Sequence, residues 1–134
     1  MIHLKKLGVL NHRISDVIAQ MGHGDQLVVA DAGLPIPVDV ERIDMALAAG
    51  VPSILQVLEA VTIELQVEQI VVADELLASR GALPRELSRM FPDAEIASIS
   101  HEAFKERCAQ ARAVIRTGEC TPFANVILVG GVTF

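Results

Sequence analysis

The side chains best suited to chemistry in this sequence are two histidines, an aspartate and the polar groups of one segment. His23 lies between two glycines in the stretch 21–25, and Asp31 directly follows an apolar run. His101 follows a second apolar run, and the segment 116–125 follows a third. An imidazole exchanges protons near neutral pH, while carboxylate and amide groups bind hydroxyls. This set suits proton transfer to a small polyhydroxy ligand, and it suits sugar binding without catalysis equally well.

Each of these residues also has an explanation that requires no function. Residue type and spacing alone favour the structural explanation over the chemical one. The structural alternatives are an exposed turn for His23, a cap for Asp31, a surface position for His101, an ion pair between Arg116 and Glu119, and a core position for Phe123.

Motifs for metals, nucleotides and serine hydrolysis do not occur in the sequence. The histidines are scattered, and neither His-x-x-x-His nor Cys-x-x-Cys is present, so the common zinc-ligand spacings are missing. Phosphate-binding glycine patterns and the Gly-x-Ser-x-Gly elbow are also missing. Neither Cys108 nor Cys120 stands in a context typical of a nucleophile. We therefore expect no metal ion and no organic cofactor.

The composition excludes further classes of protein. The net charge is −6 and no basic run with interleaved aromatics occurs, which argues against a nucleic-acid partner. Charged or turn residues interrupt each apolar stretch before the ~18–20 residues that a membrane span needs. The N-terminal residues lack the apolar core of a signal peptide. With two cysteines interpreted as reduced thiols, we expect a cytoplasmic protein without membrane contact.

The high apolar content indicates contacts between subunits. Hydrophobic residues make up 51% of the chain and the mean hydropathy is +0.45. A domain of this length has limited interior, and obligate interfaces resemble a core cut in half. We therefore expect a homo-oligomer, with a core unusually rich in Val, Ile, Leu and Ala as the alternative.

Strands and helices alternate along the chain. Asn11 is predicted to cap a first helix that ends at Gly22 in the left-handed conformation. Further helices are predicted from Pro52, after the pair 74–75, after Pro84 and over 101–110. This alternation predicts a three-layer α/β/α sandwich with a largely parallel sheet, in a single domain covering residues 1–134. The predicted strands are 26–30, 40–46, 69–73, 94–99, 113–115 and 126–129.

The predicted sheet indicates where a ligand binds. In open α/β sheets, ligands bind beyond the carboxyl ends of the strands. Asp31 and His101 directly follow predicted strands, and the segment 116–125 follows another. His23, by contrast, lies in a turn between a helix and a strand, so a neighbouring loop must bring it to the ligand.

Several motifs, taken in order, resemble the D-ribose pyranase family. Any one of them is weak evidence alone, but they occur in the right order over essentially the whole chain. The sister family, the L-fucose mutarotases, shares Gly-His-Gly-Asp, Ala-Asp-Ala and Thr-Gly-Glu, whereas the loop 31–37 and the run 115–122 look more like the ribose branch. The motifs are Gly-Val-Leu-Asn at 8–11, Met-Gly-His-Gly-Asp at 21–25, Ala-Asp-Ala-Gly-Leu-Pro-Ile-Pro at 30–37, the stretch 99–105, the stretch 114–125 and Gly-Val-x-Phe at 131–134.

The resemblance implies an activity and a set of site residues. It implies interconversion of β-D-ribopyranose and β-D-ribofuranose, which supplies the furanose for phosphorylation, in a homo-oligomer that is commonly a decamer. It also implies that no metal or organic cofactor is used. His23 matches the family's catalytic proton donor. The positions that match the family's sugar contacts are Asp31, His101, Phe123, Ala124 and Asn125.

One position departs from the family pattern. The family usually has Tyr where this chain has Phe123, and the chain contains no Tyr. Phe lacks the hydroxyl that can exchange hydrogen bonds with a sugar. This departure keeps two other hypotheses open, namely a mutarotase for another monosaccharide such as L-fucose and a non-catalytic sugar-binding or regulatory module. The role of Asp31 is also open, since it can hold the tautomer of His23 or bind a sugar hydroxyl.

Overall fold

Short runs rich in Val, Ile and Leu form the strands of the protein. The computed structural model describes residues 5–134, and six of these runs within that range join into one sheet. β-branched side chains favour such strands, because their stiff side chains pack well on a pleated surface. The strands are β1 Gln26–Ala30, β2 Glu41–Asp44, β3 Val67–Ala73, β4 Glu95–Ile99, β5 Ala113–Arg116 and β6 Val126–Gly130.

Capping side chains fix where three of the helices begin. The Asn11 side chain accepts a hydrogen bond from the Ile14 amide, and Ser100 caps its helix in the same way, as predicted for both. Ser53 and Gln56 form a reciprocal capping box. The helices in the described residues are α1 His12–Gln20, α2 Ile54–Thr62, α3 Asp74–Ala78, α4 Leu83–Met90 and α5 His101–Arg107, followed by a 3₁₀ turn, Cys108–Gln110.

Predicted helix boundaries differ from the structure by a few residues, and α1 and α2 show why. Helix α1 ends at Gln20 and Met21 is extended, so Gly22 is not its left-handed stop. The left-handed residue in this turn is Gly24, with φ +87°. Helix α2 begins at Ile54 rather than at Pro52, because the Ser53 side chain satisfies the first amides.

The sheet is largely parallel, as predicted, with one reversed strand inside it. Its order is β2-β5-β1-β6-β3-β4, and β6 is antiparallel to both of its neighbours. The other five strands run in one direction. We call the two ends of the sheet the carboxyl edge, where β1 ends, and the amino edge, where β1 begins. Because β6 is reversed, it begins at the carboxyl edge and ends at the amino edge.

Helices pack on both faces of the sheet. Leu27 and Val29 of β1 belong to one hydrophobic cluster, together with side chains of α1, α2 and α4. Val28 and Ala30 belong to a second cluster, which contains Phe104 of α5. These four side chains of β1 are fully buried. Burying a Val or Leu side chain stabilises a fold by about 1.5–3 kcal/mol. The central strands therefore form a rigid base for the loops at both edges.

Apolar side chains also remain on the surface of the chain. They include Leu10, Val38, Leu47 and Phe134, which are exposed. No helix within residues 5–134 is long and apolar enough to cross a membrane.

Candidate functional site

Loops at the carboxyl edge surround a cavity of about 400 Å³. Its walls come from the loop that follows β1, from the start of α5 and from the segment between β5 and β6. The edge is the one at which ligands are expected in an open α/β sheet. The lining residues are 31–35, His101, 119–123 and Asn125.

Asp31 and Asn125 form the most tightly defined part of this cavity. The Asp31 amide donates to Asn125 Oδ1 over 2.7 Å, and Asn125 Nδ2 donates to Asp31 Oδ2 over 3.3 Å. Asp31 Oδ1 also accepts from the Gly33 amide over 3.0 Å. These contacts fix the carboxylate, yet each oxygen keeps a lone pair for a ligand hydroxyl. The reversed strand β6 creates this pair, because it places residue 125 beside the end of β1.

His101 and Phe123 meet on another wall of the cavity. Their ring centroids lie 5.0 Å apart with the planes at 80°, an edge-to-face contact. Phe123 has φ +62°, which is rare for a bulky residue. His101 Nδ1 is buried without a hydrogen-bond partner in the described part of the chain. Strained backbone and unpaired buried polar atoms are typical of functional positions, and here both occur at one cavity.

The carboxylate of Glu119 is occupied by structural hydrogen bonds. Glu119 Oε1 accepts from the Ile54 amide over 3.0 Å, and Oε2 accepts from the Thr121 hydroxyl over 2.7 Å. Burial alone would raise the pKa of Glu119, but the hydrogen bonds from Thr121 and Ile54 outweigh it and lower the pKa below its ordinary value. The ion pair between Arg116 and Glu119 that the sequence allowed does not form. Arg116 instead pairs with Asp44 over 3.2 Å.

The backbone of the segment between β5 and β6 is tightly packed. A Cβ atom at Gly118 would lie 2.5 Å from the carbonyl oxygens of Ala48 and Val51, so only glycine fits there. The Thr117 hydroxyl donates to the Ala30 carbonyl over 2.7 Å. The Ala124 side chain is buried in the core and does not line the cavity, so this residue can reach a ligand only through its backbone.

His23 lies at the opposite edge of the sheet. It belongs to the turn before β1, which the Gly24 amide ties to the Gly130 carbonyl over 2.9 Å. Asp31 follows the same strand, and a five-residue strand spans about 17 Å at roughly 3.3 Å per residue. Within one chain, therefore, the structure brings together Asp31, His101, Phe123 and Asn125 but leaves His23 apart.

The partner of His23 is a residue that the sequence analysis missed. His23 Nε2 lies 2.9 Å from Glu68 Oε2, and the two residues are 45 positions apart. Asp31 cannot hold the tautomer of His23 in its own chain, because β1 separates them. No local motif marks Glu68; only the strand order brings it to the turn.

Metal ligands and reactive thiols do not define a site in the described residues. Within residues 5–134, no group of three or more His, Cys, Asp or Glu side chains is arranged to hold a metal ion. Burial raises the pKa of the Cys108 thiol to about 11, so this cysteine stays protonated and unreactive. Cys120 is exposed at the cavity.

The sheet order and the cavity at its carboxyl edge define an α/β protein with a pocket suited to a small polar ligand. Residues 4–133 match the sequence model of the RbsD / FucU transport protein family, and the chain belongs to that family. It is 50% identical over 131 residues to a D-ribose pyranase of Symbiobacterium thermophilum, covering 98% of this chain and all of the relative. A D-ribose pyranase of Yersinia enterocolitica is also 50% identical, over 139 residues, with 98% of this chain and all of the relative covered.

Solved structures agree with this assignment. RbsD of Bacillus subtilis, solved in complex with D-ribose, superposes with a TM-score of 0.93 at 43% identity, covering 97% of this chain and 99% of the other. FucU of Bifidobacterium longum superposes with a TM-score of 0.74 at 27% identity, covering 92% and 95%. The resemblance to the D-ribose pyranase family that the motifs predicted is confirmed.

Proposed function

We propose that this protein is a D-ribose pyranase, an isomerase that interconverts β-D-ribopyranose and β-D-ribofuranose. One observation carries the proposal: the polar cavity built on Asp31 and Asn125 lies in a chain that is half identical, over its full length, to D-ribose pyranases. The likeness to a structure solved with D-ribose supports the choice of sugar. The product furanose then becomes available for phosphorylation.

The reaction requires two coordinated proton transfers. Opening the pyranose ring needs a proton on the ring oxygen and loss of the proton from the C1 hydroxyl, after which the C1–O bond breaks to give the open aldehyde. Closing through the C4 hydroxyl reverses both transfers and gives the furanose. In the proposal His23 donates the proton to the ring oxygen, and the proton of the C1 hydroxyl passes to solvent. Imidazole suits this role because both of its protonation states are accessible near neutrality.

The cavity residues orient the sugar in this mechanism. The fixed Asp31 carboxylate accepts hydrogen bonds from sugar hydroxyls, and His101 and Asn125 contribute further polar groups. The Phe123 ring offers an apolar surface to the sugar. Ala124 contributes through its backbone alone. This assigns Asp31 to sugar binding rather than to the tautomer of His23 in the same chain.

We further propose that the complete site forms between two subunits. His23 and the cavity of one chain lie at opposite edges of the sheet, so a proton donor must reach each cavity from a neighbouring copy. Exposed apolar side chains such as Val38, Leu47 and Phe134 are suited to contacts between copies. The specific assembly in the proposal is the homodecamer that the family resemblance implies. The free thiols of Cys108 and Cys120 agree with a cytoplasmic location.

NMR exchange spectroscopy on a panel of sugars tests the function. Addition of the protein is expected to accelerate exchange between the pyranose and furanose signals of D-ribose. Faster exchange with L-fucose than with D-ribose would identify a mutarotase for that sugar. Binding of D-ribose by calorimetry without acceleration of either exchange would identify a non-catalytic binding module.

Mixed oligomers test the site between subunits. His23→Ala and Asp31→Ala chains are each expected to be inactive alone, but co-assembled chains regain activity. With random mixing in a symmetric ring, about one quarter of the sites combine an intact His23 from one chain with an intact Asp31 from its neighbour. Failure to regain activity in verified hybrids would contradict the shared site. Gel filtration adds a direct check, since a monomer of 14.4 kDa would contradict the oligomer.

A further inference from the structure

The backbone of β3 is irregular where Glu68 lies. Val67 pairs with Gly130 and Gln69 pairs with Val129, so β3 has one extra residue, Glu68, between the partners of two adjacent residues of β6. Such β-bulges redirect a side chain and are frequent beside active sites. Glu68 is therefore placed by a local departure from the regular ladder of the sheet.

The chain segment after β6 packs closely against this bulge. A Cβ atom at Gly131 would lie 3.1 Å from Glu68 Cβ and 3.4 Å from the Glu68 amide nitrogen. The Gly131 amide also donates to the Gln66 carbonyl over 2.8 Å. A glycine at position 131 thus leaves room for the bulged residue, and the hydrogen bond to Gln66 holds the strand in place beside it.

The turn that carries His23 is fixed to the same end of β6. The Gly24 amide donates to the Gly130 carbonyl over 2.9 Å, and the Gly130 amide donates to the Asp25 carbonyl over 2.8 Å. Residues 130 and 131 therefore contact both the turn that carries His23 and the strand that carries Glu68. In this arrangement His23 Nε2 lies 2.9 Å from Glu68 Oε2.

Stability does not explain this arrangement. The His23 side chain is 58% exposed and that of Glu68 is 46% exposed. Ion pairs with this exposure contribute little to stability, because water screens them and both side chains lose rotamer freedom. A bulge and a close glycine are thus associated with a contact that stabilises the fold only weakly, which favours a role in function.

We propose that Glu68 is the positioning residue for His23. The Glu68 carboxylate accepts a hydrogen bond from the Nε2–H group of His23, and this leaves Nδ1 as the atom that exchanges its proton with the sugar. This deepens the proposed function and rests on His23 as the proton donor. When the ring oxygen is protonated, the Nδ1–H bond breaks and an O–H bond forms, while Nε2 keeps its hydrogen throughout. Histidine then ends in the tautomer that the carboxylate favours. An oriented carboxylate plays the equivalent part for histidine in serine-protease triads.

The experiment compares Glu68→Gln with a matched control, Glu95→Gln. Glu95 is an exposed carboxylate at the start of β4, and its partner in register is Gln69, next to Glu68. Gln has nearly the size of Glu and fits the bulge, but its NH₂ group can donate to Nε2 and so stabilise the opposite tautomer. Both variants lose one negative charge from the same part of the sheet, so charge alone cannot separate their effects.

Two measurements are made on each protein. The first is the ¹⁵N NMR spectrum of the His23 side chain in alkaline buffer, where an ordinary imidazole is neutral. We expect the Nε2–H tautomer in the unmodified protein and a mixture in Glu68→Gln. The second is ribose exchange by NMR, for which we expect kcat to fall roughly 10–100-fold in Glu68→Gln with KM changed less than about twofold. Glu95→Gln is expected to leave both measurements unchanged.

Several outcomes would overturn the proposal. An Nδ1–H tautomer in the unmodified protein would do so without any variant, even if Glu68→Gln failed to fold. The proposal would also fail if Glu68→Gln and Glu95→Gln gave equal values in both measurements. A rise in KM with unchanged kcat in Glu68→Gln would contradict it as well. If the unmodified protein fails to accelerate ribose exchange, the proposed function fails. The tautomer spectra still test the contact between Glu68 and His23 in that case.

Discussion

The two edges of the sheet hold their polar residues in opposite ways. At the carboxyl edge, Asn125 is buried and bonded twice to Asp31, and Glu119 accepts from both α2 and Thr121. At the amino edge, His23 and Glu68 are exposed and bonded to each other through one contact. One edge is built into the fold, whereas the other presents its side chains on the surface.

This difference separates binding from proton transfer. The cavity at the carboxyl edge depends on hydrogen bonds that also stabilise the chain, so substitutions there are expected to affect the fold and the ligand together. The exposed side chains of His23 and Glu68 contribute little packing, so their substitution is expected to affect catalysis alone. Four predictions test this contrast.

Replacement of His23 by Ala is expected to give the largest effect. Loss of a positioned general acid lowers a rate by about 10²–10⁴-fold, so the catalysed exchange of ribose followed by NMR should fall by this factor. Because His23 is exposed, the free energy of unfolding in urea should change by less than about 0.5 kcal/mol. Unchanged exchange in the variant would remove His23 from the mechanism.

The Asn125→Ala substitution is expected to weaken both the fold and the cavity. It leaves the Asp31 amide without its partner, and an unpaired buried donor costs about 1–3 kcal/mol. Urea denaturation should show a loss in this range, and calorimetry should show weaker ribose binding. A variant with native stability and weakened binding would mean that the pair serves the ligand alone. His23→Ala is the control, because it is expected to keep native stability while its catalysed exchange of ribose falls.

The Phe123→Tyr substitution is expected to produce a moderate gain. It adds the hydroxyl that the family resemblance implies at this position, and one added hydrogen bond contributes about 0.5–1.5 kcal/mol, or roughly 2–10-fold in rate. The measurement is kcat for ribose exchange. Phe104→Tyr cannot serve as a control, because Phe104 is fully buried. A slower Tyr variant would indicate that the cavity has adapted to the apolar ring.

The Glu119→Gln substitution is expected to give the smallest effect, a loss of stability that is greatest above pH 4.5 and disappears in acid. The pKa of Glu119 is lowered in the folded chain from its ordinary value of 4.5. Its contribution to stability is therefore fully present above pH 4.5 and is lost as the pH falls through the lower, folded value. Urea denaturation along a pH series should show a shallower acid decline for the variant. An identical decline in both proteins would contradict the role of these hydrogen bonds.

Much of the fold is readable from local sequence. The strand predictions for 26–30, 69–73 and 126–129 overlap the observed β1, β3 and β6, because their β-branched runs are short and apolar. Asn11 and Ser100 cap helices as predicted, since capping depends on residues within one turn. The predicted left-handed Gly22 was wrong, because Met21 ends the helix in an extended conformation and the turn places Gly24 there instead.

By itself, the sequence determined the alternation of elements, the family and the polar residues that follow the strands. Only the tertiary structure decided how those residues are distributed. Asp31 meets Asn125 across 94 positions because β6 runs backwards between β1 and β3, and His23 meets Glu68 because β3 bulges at the opposite edge. Side-chain periodicity encodes which face of an element is buried, but not the order and direction of strands that bring distant residues together.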